Sequence, residues 1–313
     1  MMETVIRAVV LALAWFAAVN ATASVASWSL VRFLPIFRHT TRPLLLLLVR
    51  LVPAAASLLF VAAIFLPSHW ALEPRDAHET LGFAWYGLAA AGAFLLGRGA
   101  VCAASVAKSG RRLRAGERRA TIAIADVHEV DGVSGVSLAG VFRTRVLIGP
   151  AITGCLSAAE LEVAVAHELA HRDAFDNLAR WGMRCAPDFL GYTAVARRLE
   201  EAWHAAAEAR ADARAIAGDT VRAVHLASAL VKVARLGTGA PATPLSTVWS
   251  TLHDAALLEW RVRRLVSGVV AADGPRRSRV LLAAVPFSIL LAAALTFSGT
   301  VHRLTETLVN LLP

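Results

Sequence analysis

Four long apolar segments constrain this chain more than anything else in it. They run from Val5 to Val31, Pro43 to Leu66, Leu81 to Ala107 and Val280 to Phe297. A helix rises about 1.5 Å per residue, so each crosses, or nearly crosses, a hydrocarbon layer of about 30 Å. Backbone in lipid has no water to bond, which leaves the helix as the form such a segment takes. Composition agrees: hydrophobic residues are 57% and charged ones only 18%, with a mean hydropathy of +0.57. So little polar surface cannot cover a water-exposed globule, and lipid must be part of the solvent.

Charge placement orients the spans. Arg32, Arg38 and Arg42 follow the first span, Lys108, Arg111, Arg112, Arg114, Arg118 and Arg119 the third, and Arg276, Arg277 and Arg279 precede the fourth. The connection between the second and third is acidic, with Glu73, Asp76 and Glu79 against Arg75. Positive residues stay inside, so the expectation is a multi-pass inner-membrane protein with every basic cluster in the cytoplasm and the N-terminus outside. The competing reading of the first segment is a cleaved signal peptide, since Arg7 precedes an apolar run and Ala21-Thr22-Ala23 resembles a cleavage site. A retained span is preferred, because a secretory signal does not leave the new N-terminus inside.

Arg50 and Arg98 lie within spans, and each either snorkels to headgroups or faces the bundle interior. The net charge of +9 raises nucleic acid as a partner, but basic residues flanking apolar spans fit the lipid bilayer's anionic headgroups better, and no nucleic acid is expected. Cys102, Cys155 and Cys185 form no C-x-x-C pair and are expected as reduced, buried thiols. Trp15, Trp28, Trp70 and Trp85 are expected in or near interfacial belts.

The chain thus divides into three spans (1–107), a cytoplasmic domain (108–279) and a fourth span with a short extracytoplasmic tail (280–313). The domain opens with β signals at 121–125, 135–139 and 145–148, which predict a small antiparallel sheet. Ser157 followed by Glu160 is a capping box that starts a helix. Further helices are expected from Asp176, over Thr193 to Ala217, Val221 to Leu236 and Ser246 to Val266, with a linker at 237–244.

The first of these helices carries His167-Glu168-Leu169-Ala170-His171. Four-residue spacing brings both imidazoles to one face, where they can share a zinc ion, and places Glu168 to take a proton from an attacking water. A catalytic zinc needs three protein ligands and one open position. Glu200, His204, Glu208 and Asp212 recur every fourth residue on a later helix and form one stripe of donors. Spacing favours Glu208 as the third ligand, with His204 its rival. A carboxylate one turn on, Asp212, can accept a hydrogen bond from a ligand histidine. The plainer alternative is an exposed acidic stripe paired with Arg197, Arg210 and Arg214. His128, His225 and His253 read as ordinary histidines, and Cys155 as a half-buried thiol.

His167-Glu168-Leu169-Ala170-His171, Asp176 and Glu208-x-x-x-Asp212 together resemble the gluzincin membrane peptidases. The closest likeness is to the BlaR/MecR-type antirepressor metallopeptidases, the β-lactam sensor–transducers; heat-shock and CAAX-processing membrane zinc peptidases are similar at greater distance. The resemblance covers nearly the whole chain. Gly140 to Ile148 resembles that group's strand ahead of the active helix, and Arg261-Val262-Arg263-Arg264-Leu265 its closing basic helix. It implies Glu208 as third ligand, Asp212 as the carboxylate behind a ligand histidine, and Asp176 as a structural residue that also stands behind the ligands and anchors the end of the active helix. Those receptors carry a large extracellular penicillin-binding domain after the fourth span, and this chain stops soon after it, so β-lactam binding of their kind is not expected.

These readings converge on a mainly α membrane protein: four transmembrane helices and a cytoplasmic α+β zincin-like domain. The expected function is a zinc metalloendopeptidase cutting cytoplasmic or membrane-proximal proteins, a transcriptional repressor being one such substrate. Glu168 would pass its proton to the leaving amine. His204, Arg210 and Tyr192 are candidate oxyanion donors, with His204 favoured, and the substrate would lie extended against a sheet edge. One rival is a non-catalytic membrane signal transducer with a structural zinc site, against which an intact Glu168 speaks. The other is a metal-ion transporter, against which the cations Arg50 and Arg98 speak.

Overall fold

The computed structural model describes residues 2–33, 42–72, 81–114, 118–119, 127–130, 135–237, 250–251, 255–268 and 299–311. The expected fourth span, the β signal at 121–125, most of the linker and His253 lie outside the described residues. The described chain is mostly helical with a small mixed sheet.

Among the described residues, three helices are long and apolar enough to cross a membrane. They are α1 (Met2–Phe33), a continuous rod made of α2 (Pro43–Phe60), a π turn (Val61–Phe65) and α3 (Leu66–Leu72), and α4 (Phe83–Arg114). Leu11, Ala14, Phe65, Trp85 and Ala89 interlock between them, joined by Val309 from a further helix, α5 (299–311). At Gly92 the axes of α1 and α4 come so close that any Cβ would lie 2.3 Å from the Leu13 carbonyl oxygen. Trp15 packs on Phe60 and Trp85, with centroids 5.4 and 6.4 Å away, and donates to Thr305 Oγ1 at 3.1 Å. Trp15 and Trp85 thus pack between the helices, whereas Trp28 and Trp70 are exposed.

Asn20, Ser24, Arg50 and Arg98 inside these apolar helices seat one segment, 183–192. Asn20 donates to the Pro187 carbonyl and accepts from Phe189 N–H, both at 3.0 Å, while Ser24 accepts from Leu190 N–H at 3.2 Å. Arg50 donates to Asp188 (2.9 Å), Glu200 (2.7 Å) and the Met183 carbonyl (2.8 Å). Arg98 donates to the Ala186 carbonyl at 2.8 Å and lies over the Tyr192 ring. Non-helical backbone among apolar helices persists only where protein groups satisfy it, which is what these side chains do. Both arginines face the interior; neither snorkels.

The sheet comprises β1 (Arg118–Arg119), β2 (Val127–Glu129), β3 (Val136–Ala139), β4 (Arg145–Ile148) and β5 (Ser250–Thr251), in the order β1-β2-β4-β3-β5. It is mixed, not antiparallel as the sequence led us to expect, because β2 runs parallel to β4. Gly140, at φ +93°, makes the tight β3–β4 turn, where a Cβ would meet the Arg143 carbonyl oxygen at 2.5 Å. That turn brings β4 back between β2 and β3, pointing along β2. Ser250–Thr251 was expected to be helical and instead pairs with β3, so the last helix of the domain begins later.

Among the described residues this region continues with α6 (Pro150–Cys155), α7 (Ala158–Asp173), α8 (Asp176–Cys185), α9 (Ala194–Ile216), α10 (Thr220–Gly237) and α11 (Ala255–Val266). Val136, Leu138, Val146 and Ile148 of the sheet share a core with Val165 of α7 and Leu226, Leu230 and Val233 of α10. Leu46 and Val49 of α2 pack with Leu199 and Trp203 of α9. Through that second core α9, the helix with the acidic stripe, is clamped to the apolar rod.

Candidate metal centre

The helix that carries the histidines is started by its own first residues. Ser157 Oγ accepts from Glu160 N–H at 3.3 Å, and Glu160 Oε2 accepts from Ser157 N–H at 2.7 Å, the reciprocal capping box the sequence predicts. Glu160 also accepts from Ser228 at 2.6 Å and Lys232 at 2.7 Å, fastening α7 to α10. Burial opposes its charge, but those donors prevail and lower its pKa to about 2.

His167 and His171 are fully buried, rings edge to face, with their Nε2 atoms 3.1 Å apart. Glu208 completes the triangle, Oε2 lying 3.3 Å from His167 Nε2 and Oε1 lying 3.4 Å from His171 Nε2. These three residues can hold a metal ion. Ligands about 2.05 Å from a tetrahedral centre are separated by roughly 3.3 Å, and each Nε2 has a Glu208 oxygen at about that distance, Oε2 for His167 and Oε1 for His171.

The far side of each imidazole faces a carboxylate. His171 Nδ1 is 2.7 Å from Asp176 Oδ2, and His167 Nδ1 is 3.0 Å from Asp212 Oδ1. Carboxylates only accept, so His171 Nδ1 carries the proton and its Nε2 turns toward His167 and Glu208, while His167 Nδ1 lies at ion-pair distance from Asp212. The two Nε2 atoms are close enough to share a metal ion or a proton. Burial disfavours a charged His171, yet Glu208 and the Asp176 hydrogen bond outweigh it and raise its pKa to about 9. Burial likewise opposes a charged Glu208, but Arg261 and His171 hold it ionised, well below the usual carboxylate range.

Glu168 is fully buried, and neither of its oxygens has a hydrogen-bond partner among the described residues. Burial raises its pKa to about 7, with His167 and His171 pulling the other way. A buried carboxyl without partners is rare in folded proteins, and one titrating near neutrality can gain or lose a proton there.

Asp176, expected to anchor the helix end and to stand behind the ligands, lies 2.7 Å from His171 Nδ1 through its Oδ2. Phe175, in the left-handed region at φ 58°, turns the chain sharply enough to bring Asp176 back under His171. Arg210, an oxyanion candidate, is committed to Asp176 Oδ1. Tyr192, another, lies with Phe94 and Arg98 at the membrane-type helices. His204 does sit beside the centre, its Nδ1 3.6 Å from Glu208 Oε1. Arg180 donates to that Nδ1 at 3.0 Å, which leaves the ring proton on Nε2. The β3 strand nearest α7 is paired at Ser137 and Leu138 by β5, so a peptide has no free β3 edge there.

Two residues escaped the sequence reading. Arg261 grips Asp212 with two nitrogens, at 2.6 and 3.0 Å, and sets Nη1 2.9 Å from Glu208 Oε2. It was legible only as part of a basic helix. Arg180 reaches Glu208 Oε1 at 3.4 Å, and no local spacing marked it.

No protein-family model and no curated protein matches the chain.

Proposed function

We propose that the chain is a membrane-anchored zinc endopeptidase whose spans, four with Val280 to Phe297, place the centre on the cytoplasmic side of the inner membrane. The observation that carries this reading is Glu168, a buried carboxyl with no hydrogen-bond partner among the described residues, beside three donors that can hold one metal ion. A structural site has no use for such a group.

In this mechanism His167, His171 and Glu208 hold the ion. When bound, zinc polarises the scissile carbonyl and makes water nucleophilic near neutral pH. Glu168 takes the proton from the attacking water and delivers it to the leaving amine. Asp176 and Asp212 keep each imidazole in the tautomer whose Nε2 binds, and Arg261 and Arg210 keep those carboxylates ionised and in place. His204, its proton on Nε2, serves as the donor to the developing oxyanion. Substrates are cytoplasmic or membrane-proximal proteins, a repressor among them, because α9 and segment 183–192 hold the centre against the apolar helices.

The test is purified full-length protein with its zinc content measured, offered unfolded protein substrates. Wild type should hold about one zinc per chain. Glu168→Gln should keep the zinc and lose at least about 100-fold in turnover. Full proteolysis by the zinc-loaded Gln variant would overturn the general-base role. A zinc-loaded wild type that cleaves nothing would point instead to a signal transducer with a structural site.

A further inference from the structure

Cys102 of α4 and Cys185 at the end of α8 are 83 positions apart in sequence, yet their Sγ atoms are 3.0 Å apart. Both are free thiols; Cys185 is buried and Cys102 partly accessible. The backbones around them are already docked. At Gly99, one turn before Cys102, a Cβ would lie 2.8 Å from the Cys185 carbonyl oxygen, and Arg98 holds the next carbonyl, that of Ala186. A disulfide requires the sulfurs to close by only about 1 Å.

We propose that Cys102 and Cys185 form a redox-modification site, oxidised by a hydroperoxide to a disulfide that ties α4 to α8. Cys102, the accessible thiol, loses its proton and attacks the peroxide. The O–O bond breaks, an alcohol (water, from hydrogen peroxide) departs with that proton, and Cys102 becomes a sulfenic acid. Cys185 sulfur then attacks the sulfenic sulfur, the S–O bond breaks, and water leaves with the Cys185 proton. Two thiols and one hydroperoxide give one disulfide, one alcohol and one water. Burial and the neighbouring Cys102 push the Cys185 thiol up to about 12, which leaves the first attack to the accessible Cys102.

The tie matters because α8 reaches the metal centre at its other end. Asp176, Asn177 and Arg180 all lie on it: the first holds His171, the second donates to the Leu138 and Gly140 carbonyls, the third contacts His204 and Glu208. Fixing its C-terminus to α4 restrains the helix that supports a ligand histidine. This consequence rests on the metal-site reading; the disulfide itself does not.

The experiment treats full-length protein in detergent micelles with hydrogen peroxide, blocks remaining thiols with iodoacetamide, and maps the unreduced digest by mass spectrometry. We expect one intramolecular cross-link, Cys102 to Cys185, reversed by a thiol reductant, absent in Cys102→Ser and Cys185→Ser and kept in Cys155→Ser. Linkage through Cys155 or between chains overturns the proposal, as does alkylation of Cys185 after Cys102 has been oxidised. In the same samples, zinc loss to a chelator should slow several-fold on oxidation and recover on reduction. Formation of the disulfide with an unchanged rate of zinc loss would refute the restraint on α8 while leaving the modification site and the peptidase reading standing.

Discussion

Replacing Asp176 with Asn removes one charge and almost no volume, so it isolates what the carboxylate does for His171. Asp176 is 2% exposed and accepts from two donors, His171 Nδ1 on one oxygen and Arg210 on the other. Asn has only one acceptor oxygen. If that oxygen serves His171, the amide N–H groups oppose the Arg210 guanidinium. If it serves Arg210, the amide donates to His171 Nδ1 and forces the ring proton onto Nε2, the atom that binds metal. Either arrangement weakens the site. Losing a supporting carboxylate of this kind costs about 10–100-fold in metal affinity, or roughly 1.4–2.7 kcal/mol. A donor left facing Arg210 adds about 1–3 kcal/mol of lost folding stability. Competition with a zinc-binding dye would measure the affinity, and thermal unfolding of the metal-free protein the stability. The control is Asp173→Asn three residues earlier, where the carboxylate is 54% exposed and pairs with an exposed Arg172. Zinc affinity of Asp176→Asn within two-fold of wild type would refute the claim that this carboxylate sets the imidazole tautomer.

Asn20→Leu should destabilise the fold by about 1–3 kcal/mol for each of the Pro187 carbonyl and Phe189 N–H it strands, seen as a lower Tm and faster proteolysis near 183–192; an unchanged pattern would count against the seating role. Gly92→Ala should cost about 1–3 kcal/mol, because its Cβ meets the backbone of α1. Gly97→Ala on the same helix meets nothing within 4 Å and should leave Tm unchanged, so equal losses for the two would be incompatible with this packing. Glu160 is lowered from 4.5 to about 2 in the folded chain, so its contribution is fully present above pH 4.5 and disappears as pH falls toward 2. Glu160→Gln should flatten that part of the stability–pH curve, and a wild-type slope in the variant would exclude Glu160 as its source.

The parts readable from residue order are those made by neighbours three or four positions apart. The capping box at Ser157 and Glu160, the pairing of His167 with His171 on one face, and the Glu208–Asp212 step are all consequences of helical period, and the three apolar helices are consequences of length and hydropathy. Tertiary structure decided what joins segments far apart. Arg261 meets Asp212 across 49 positions and Asn20 meets Phe189 across 169, distances over which spacing carries no information. The same holds for β4 slipping between β2 and β3, and for Arg50 turning inward to Asp188 when an outward path to water was equally open. A buried charge settles only where a partner happens to fold beside it, and that partner is chosen by packing of the whole chain.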